Sequence, residues 1–207
     1  MMKSRICLIR HGITEGNQRR LYYGHSDIPL SDEGKDELEE LAASGLYPDS
    51  ENASFYTTGL LRTEQTLNII YGDRPHDVIE ELKEINFGSF EMMSYEDLKD
   101  REDYKIWIGG DMTKDGPPEG ESTGQFAARI GLGFDELMKR HQLKVLSMRH
   151  KKEDALSVAV CHGGSISVIM EILYPGVKDN FYQWIPDPGH GYVLELENGS
   201  VVNAEKF

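Results

Sequence analysis

Short apolar runs alternate along this chain with polar stretches whose hydrophobic positions recur at helical spacing. Residues 4–9, Ser-Arg-Ile-Cys-Leu-Ile, have the length of a strand buried on both faces, and the run stops at Arg10-His11-Gly12. From Arg10 to Leu30 the chain is rich in Gly, Asn, Asp and Arg, and Ile28 before Pro29 must extend or turn, so this stretch reads as a loop. Ser31 is a good N-cap, and Leu38, Leu41, Ala42 and Leu46 follow behind acidic residues, which predicts a helix from Asp32 to Ser44. Ala53 to Thr57 reads as a second strand, Leu60 to Tyr71 as a helix closed by Gly72, and Val78 to Leu82 as a third strand. An irregular stretch, Glu84 to Glu91, precedes a charged helical segment over 94–108. The loop Asp111 to Gly120, with Pro117-Pro118, leads to Ser122, the N-cap of a long helix reaching about His141. Ala155 to Cys161 is another buried strand, followed by His162-Gly163-Gly164 and a helix from Ser165 to Leu173. A hairpin, Tyr192 to Leu196 and Val201 to Ala204, turns through Asn198-Gly199.

Strands alternating with helices imply an α/β sandwich of three layers, its central sheet mostly parallel and flanked by helices, with the hairpin as an antiparallel ribbon. The 207 residues suit a single domain, with residues 92–121 inserted as a lid over one edge. With 22 basic against 36 acidic side chains, the formal charge of -14 should repel nucleic acid and anionic membranes, so an anionic substrate would need a small basic pocket. Cys7 and Cys161 sit in apolar runs and read as free thiols on neighbouring strands. The start of the chain carries no signal-like apolar core, and no apolar run spans a membrane, which together point to the cytoplasm.

Parallel sheets bind ligands at the carboxyl ends of their strands. His11 and His162 both lie there, each after an apolar run and before a glycine. Either histidine alone is more often a satisfied loop residue. Arg10 stands beside the first, however, and Arg62 follows a Thr-Thr-Gly turn that ends at the same edge. Four cationic or potentially cationic groups converging in an acidic protein are costly unless an anion lies between them, and phosphate suits guanidinium groups best. The phosphate loop Gly-x-x-x-x-Gly-Lys-Ser/Thr is absent, as are His-Glu-x-x-His and Cys-x-x-Cys, so neither a nucleotide loop nor a metal site is predicted.

Arg10-His11-Gly12-Ile13-Thr14-Glu15-Gly16-Asn17, followed by Gly24-x-x-Asp27-x-Pro29-Leu30, resembles the opening signature of the histidine phosphatase superfamily in its phosphoglycerate-mutase-like branch. Leu60-x-Arg62-Thr63-x-Gln65-Thr66, Leu82-x-Glu84-x-x-Phe87-Gly88-x-Phe90-Glu91, Gly120-Glu121-Ser122 and His162-Gly163-Gly164 continue it in the family's order. The resemblance implies that His11 is a nucleophile taking the phosphoryl group, that Arg10, Arg62 and His162 hold its oxygens, and that Glu84 is the general acid and base. Glu81 and Glu91 remain rivals for the last role. Thr14 and Asn17 are second-line phosphate ligands or loop-fixing residues, while Tyr23, Gly24 and Gly163 are further candidates for contact with substrate. His25, His76, His141, His150 and His190 have no motif partner and read as surface or packing residues. Tyr104, Trp107, Phe181 and Trp184 read as core or interface, with Trp107 near the mouth of the site.

The implied reaction is hydrolysis of a small phosphate ester with no cofactor, and a homodimer is left open. The mutase pattern of the family has Glu-Arg-His-Tyr-Gly in the acid motif, paired arginines in the insertion and Gly-Asn after the second histidine. This chain has Glu84-Ile85-Asn86-Phe87-Gly88, no such pair, and Gly163-Gly164, which favours a phosphomonoesterase over a phosphoglycerate mutase or a non-catalytic phosphate-binding module. Met92 replaces a glycine common after the acid motif and is expected to reshape the pocket floor.

Overall fold

The computed structural model describes residues 3–49, 51–148 and 154–207. In chain order its elements are β1 (Lys3–Arg10), α1 (Glu15–Gln18), β2 (Leu21–Tyr22), α2 (Asp32–Ala43), β3 (Ser54–Thr57), α3 (Leu61–Tyr71), β4 (His76–Val78), β5 (Met93–Ser94), α4 (Tyr95–Leu98), α5 (Glu102–Gly109), α6 (Thr123–Ser147), β6 (Ala155–Cys161), α7 (Gly163–Leu173), β7 (Gly191–Glu197) and β8 (Ser200–Lys206). Six strands form one sheet in the order β4-β3-β6-β1-β7-β8. The first four run parallel, and β7 and β8 add the antiparallel ribbon that the hairpin signal predicts.

Alternation along β1 and β6 builds the three layers. Ile6 and Leu8 of β1 join Ala159 and Cys161 of β6 in a core with Ile130, Phe134 and Leu137 of α6 and Ile166 and Ile169 of α7. Cys7 and Ile9 face the other way, with Val158, Val160 and Leu67 of α3. The two cysteines therefore occupy adjacent strands but opposite faces, Cys7 opposite Val158 and Cys161 opposite Arg10. Both are free and buried, and burial pushes the Cys161 thiol up to about 12, which leaves it protonated and inert.

Four expectations are corrected. Val78–Leu82 is not a strand: β4 ends at Val78, because its partner β3 has only four residues, and Glu80–Leu82 closes into a 3-10 turn. The stretch Arg10 to Leu30 is not all loop, since a Thr14–Asn17 capping box nucleates α1 and Leu21–Tyr22 pairs with Met93–Ser94. The charged segment over 94–108 breaks into α4 and α5, and α6 continues to Ser147. Around α5, Phe90, Leu98, Tyr104 and Trp107 form a separate small core under which Tyr22 and Phe87 pack. His150 lies outside the described residues.

Candidate active site

The parallel register of β1 and β6 pairs Arg10 with Cys161, so the residues that follow, His11 and His162, emerge side by side at the carboxyl edge of the sheet. His11 N–H bonds the Cys161 carbonyl at 3.0 Å, and the two imidazoles stand edge to face with centroids 5.2 Å apart. His11 Nδ1 lies 2.7 Å from the Gly12 carbonyl. A carbonyl can only accept, so Nδ1 carries the proton and the lone pair is on Nε2. Burial first, then the charges of Arg62 and Arg10, hold the His11 pKa well below the ordinary histidine range and keep this imidazole neutral.

His162 caps α7 and reaches Thr58, just beyond β3, with Nε2 at 3.0 Å from Oγ1. Thr63 donates its hydroxyl proton to the Leu60 carbonyl at 2.7 Å and lies 3.3 Å from Thr58 Oγ1. The consistent chain runs from His162 Nε2–H to Thr58, from Thr58 to Thr63, and from Thr63 to Leu60. His162 Nδ1, buried and without a partner, is then left with the lone pair. Burial, Arg62, His11 and Arg10 together hold this histidine well below its usual range as well.

Arg62 is fully buried. It donates to the carbonyls of Gly24 at 2.7 Å and Ser26 at 2.8 Å and lies 5.1 Å from the centre of the Tyr23 ring. Arg10 donates to the Pro186 carbonyl at 2.8 Å. In each arginine Nε is buried without a partner. Burial lowers both guanidinium pKa values, yet an arginine keeps its charge in such surroundings. Arg10 and Arg62 thus bring two fixed cations to the cavity wall beside His11, each with a buried, unpartnered Nε, while His162 stands behind that wall against the His11 ring.

Glu84 faces them from beyond the 3-10 turn. Its Oε2 accepts from Gly164 N–H at 2.8 Å and its Oε1 from Ile85 N–H at 3.0 Å. A Cβ on Gly164 would stand 2.3 Å from Oε1, so only glycine admits the carboxylate this close to the start of α7. The rivals are placed elsewhere. Glu81 is exposed and does not line the cavity, while Glu91 staples a loop by accepting from Gly24, His25, Ser26 and Phe87 N–H groups and from the Ser26 hydroxyl. Burial works to raise the Glu91 pKa, but the Ser26 hydroxyl and those backbone donors outweigh it.

His11, Arg10, Arg62, Glu84, Gly163, Asn17 and Tyr23 line one cavity of about 970 Å³. Thr14 does not: it caps α1, and its hydroxyl donates to Tyr23 at 2.8 Å. Gly24 also stands behind the wall, its carbonyl held by Arg62. Met92 lies outside the cavity and does not shape its floor, while Trp107 and Phe181 do line it. Among the described residues no group of three or more His, Cys, Asp or Glu side chains is placed to hold a metal.

The histidine phosphatase superfamily (branch 1) matches residues 6–205. The chain belongs to that superfamily. Among its relatives, the adenosylcobalamin/alpha-ribazole phosphatase of Escherichia coli K12 is 32% identical over 163 residues, 75% of this chain and 77% of that protein. A 2,3-bisphosphoglycerate-dependent phosphoglycerate mutase of Parvibaculum lavamentivorans is 29% identical over 185 residues, 83% of this chain and 80% of that one. The crystal structure of the alpha-ribazole phosphatase from Shigella flexneri superposes with a TM-score of 0.73 at 26% identity, covering 96% of this chain and 93% of that one. This histidine phosphatase is accordingly a hydrolase of phosphate monoesters. No described helix is long and apolar enough to cross a membrane.

Arg129, near the site, carried no sequence signal. From α6 it donates to the carbonyls of Glu81, Lys83 and Glu84 and pairs with Glu121, which in turn accepts from Asn86 N–H. An arginine one turn or two into a polar helix reads as a surface charge. The glutamate of Gly120-Glu121-Ser122 was the visible half of this clamp.

Proposed function

We propose that His11 attacks the phosphorus of a phosphate monoester through Nε2 while Arg10, Arg62 and His162 hold the phosphoryl oxygens. Support comes above all from two guanidinium groups, each with a buried, unpartnered Nε–H, beside a neutral imidazole whose tautomer exposes Nε2. Negative charge on the equatorial oxygens then meets fixed cations in a water-poor site. As the ester P–O bond breaks, Glu84 gives a proton to the departing alkoxide. The phosphoryl group is left on His11 Nε2. The ionised Glu84 next takes a proton from water, whose oxygen attacks the phosphorus, and phosphate leaves with His11 restored. Water is the net co-reactant, and Glu84 ends as it began.

The 207 residues act as one catalytic unit in which the segment 92–121 roofs the cavity, with Trp107, Ile108 and Met112 on its inner side. Water is favoured over a second phosphate acceptor because, among the described residues, no basic side chain besides Arg10, His11 and Arg62 lines the cavity. The alpha-ribazole phosphatases among the relatives make a nucleoside-type monoester the first substrate to try. The test is mixing of the protein with a ³²P-labelled aryl phosphate, quenched in alkaline detergent. Wild type should trap acid-labile, base-stable label on the protein, and His11→Ala should trap none and release no phosphate. Turnover by His11→Ala, or label on another residue, would reject the assignment.

A further inference from the structure

We propose that Glu171 selects the leaving group: the outer part of the cavity takes a bulky, flat group that is neutral or cationic at its far end, and anionic groups are turned away. This rests on the phosphatase reading above and deepens it. A phosphoryl group occupies only a small part of about 970 Å³, so most of the cavity must receive what the phosphate is attached to. That outer part is apolar, with Leu21, Trp107, Ile108, Ile172 and Phe181 among its walls. Trp107 is fixed by edge contacts to Tyr22 at 6.1 Å and Phe87 at 6.3 Å, a rigid aromatic wall suited to a flat partner.

Among the described residues lining the cavity, the charged ones are Arg10, Arg62 and Glu84, all at the phosphate end, and Glu171. Glu171 is on α7, eight residues beyond Gly163, which at 1.5 Å per residue puts it about 12 Å along the helix from the phosphate end. One helix therefore serves both ends of the substrate. Its N-terminus favours an anion, and its last turn, with a carboxylate added, disfavours one. The carboxylate is held in place: Oε2 accepts from Trp184 Nε1–H at 3.1 Å and Oε1 from Gly176 N–H at 2.9 Å. Each oxygen keeps a lone pair for a further donor. Lys178 lies over the face of the Trp184 ring, 5.2 Å from its centroid, while Glu171 takes the indole N–H at the ring's edge.

Three biphenyl-4-yl phosphates with 4′-aminomethyl, 4′-methyl and 4′-carboxyl groups span this length with nearly equal leaving-group acidity. Wild type should rank them ammonium, methyl, carboxylate in kcat/KM, with a spread of about thirtyfold at low salt that arises in KM and narrows as salt is added. Glu171→Gln should bring the spread within about threefold, a change in ratio that general loss of folding does not produce. Equal rates on the carboxylate and methyl esters by wild type would overturn the proposal even if the variant does not fold. Turnover of phenyl phosphate but of none of the biphenyl esters would overturn the size of the subsite. Failure on every ester, phenyl phosphate included, would instead sink the phosphatase reading and this one with it.

Discussion

Arg129 holds Glu121 by two parallel bonds, Nε to Oε1 at 2.7 Å and Nη2 to Oε2 at 2.6 Å, while its remaining donors reach the backbone that carries Glu84. Side-chain exposure of about a fifth for both partners makes this a sheltered fork rather than a surface pair. Its removal frees the acid loop without touching the phosphate cradle. Arg129→Ala is expected to lower kcat on an alkyl phosphate by about tenfold, part of the usual range for a general acid, with KM within about twofold. The loss should shrink on an aryl ester with a good leaving group, and Arg129→Lys should restore little because one ammonium cannot replace the fork. Equal losses on both esters would assign Arg129 to overall folding instead.

Proton traffic at His162 gives a second expectation. In the free protein its unpartnered Nδ1 bears a lone pair, which would repel a phosphate oxygen. Binding of orthophosphate should therefore draw a proton onto His162, which burial and the neighbouring cations otherwise keep off. Calorimetry at pH 7 in two buffers of different ionisation enthalpy should show uptake of up to one proton per phosphate. Thr58→Val should alter that number, and a heat independent of buffer would refute the coupling.

The acid limb of catalysis follows from His11. Its pKa is lowered, so the imidazole is neutral above that low value and becomes a blocked cation only as pH falls through it. The acid limb of kcat/KM is expected well below pH 6.5. Half-loss of activity near 6.5, with the fold intact, would contradict the burial and charge argument.

His141 controls stability rather than activity. It is buried on α6 with Nδ1 at 2.9 Å from Ser157 Oγ, and burial pushes its pKa down to about 4. Because the folded pKa lies below the unfolded value of about 6.5, the unfolded chain binds the proton first, so stability falls as pH drops from about 6.5 toward 4, by about 3 kcal/mol in full. His141→Asn keeps a partner for Ser157 and removes the titration. Urea unfolding at pH 7, 5.5 and 4.5 should show a shallower pH slope for the variant, and an unchanged slope would place the acid sensitivity elsewhere.

Met92 has a φ of +63°, a left-handed conformation that costs a side chain about 1–2 kcal/mol. Glycine is at ease there, which explains why the family pattern carries it. Met92→Gly should stabilise the fold by about 0.5–1 kcal/mol after the larger entropy of the unfolded glycine is counted, without changing kcat, because residue 92 is outside the cavity. A lower unfolding midpoint would show that Met92 contributes packing that outweighs its strain.

The strands that carry His11 and His162 were legible because both are continuous apolar runs buried on two faces, and each ends abruptly in a polar motif. Arg10, Arg62 and Glu84 were legible through short motifs. Val78–Leu82 misled because apolar residues at 78, 79 and 82 suit a strand, whereas strand length is decided by the partner available for pairing. The four residues of α1 are too few to show periodicity, so their stretch reads as loop. Glu171 and Arg129 were invisible for a different reason. Each is a charged residue on a helix, and only tertiary packing turns one toward the cavity and the other onto a distant loop.

Adjacent parallel strands in any sheet are about 4.8 Å apart, a spacing fixed by backbone hydrogen bonds. The 5.2 Å between the His11 and His162 rings is close to that interval because the two residues leave neighbouring strands in register. The separation of these two imidazoles is thus a property of the sheet lattice, set before any loop or helix is considered. Roof, rim and far wall can diverge freely, while the spacing of the two histidines is reproduced whenever the strands pair.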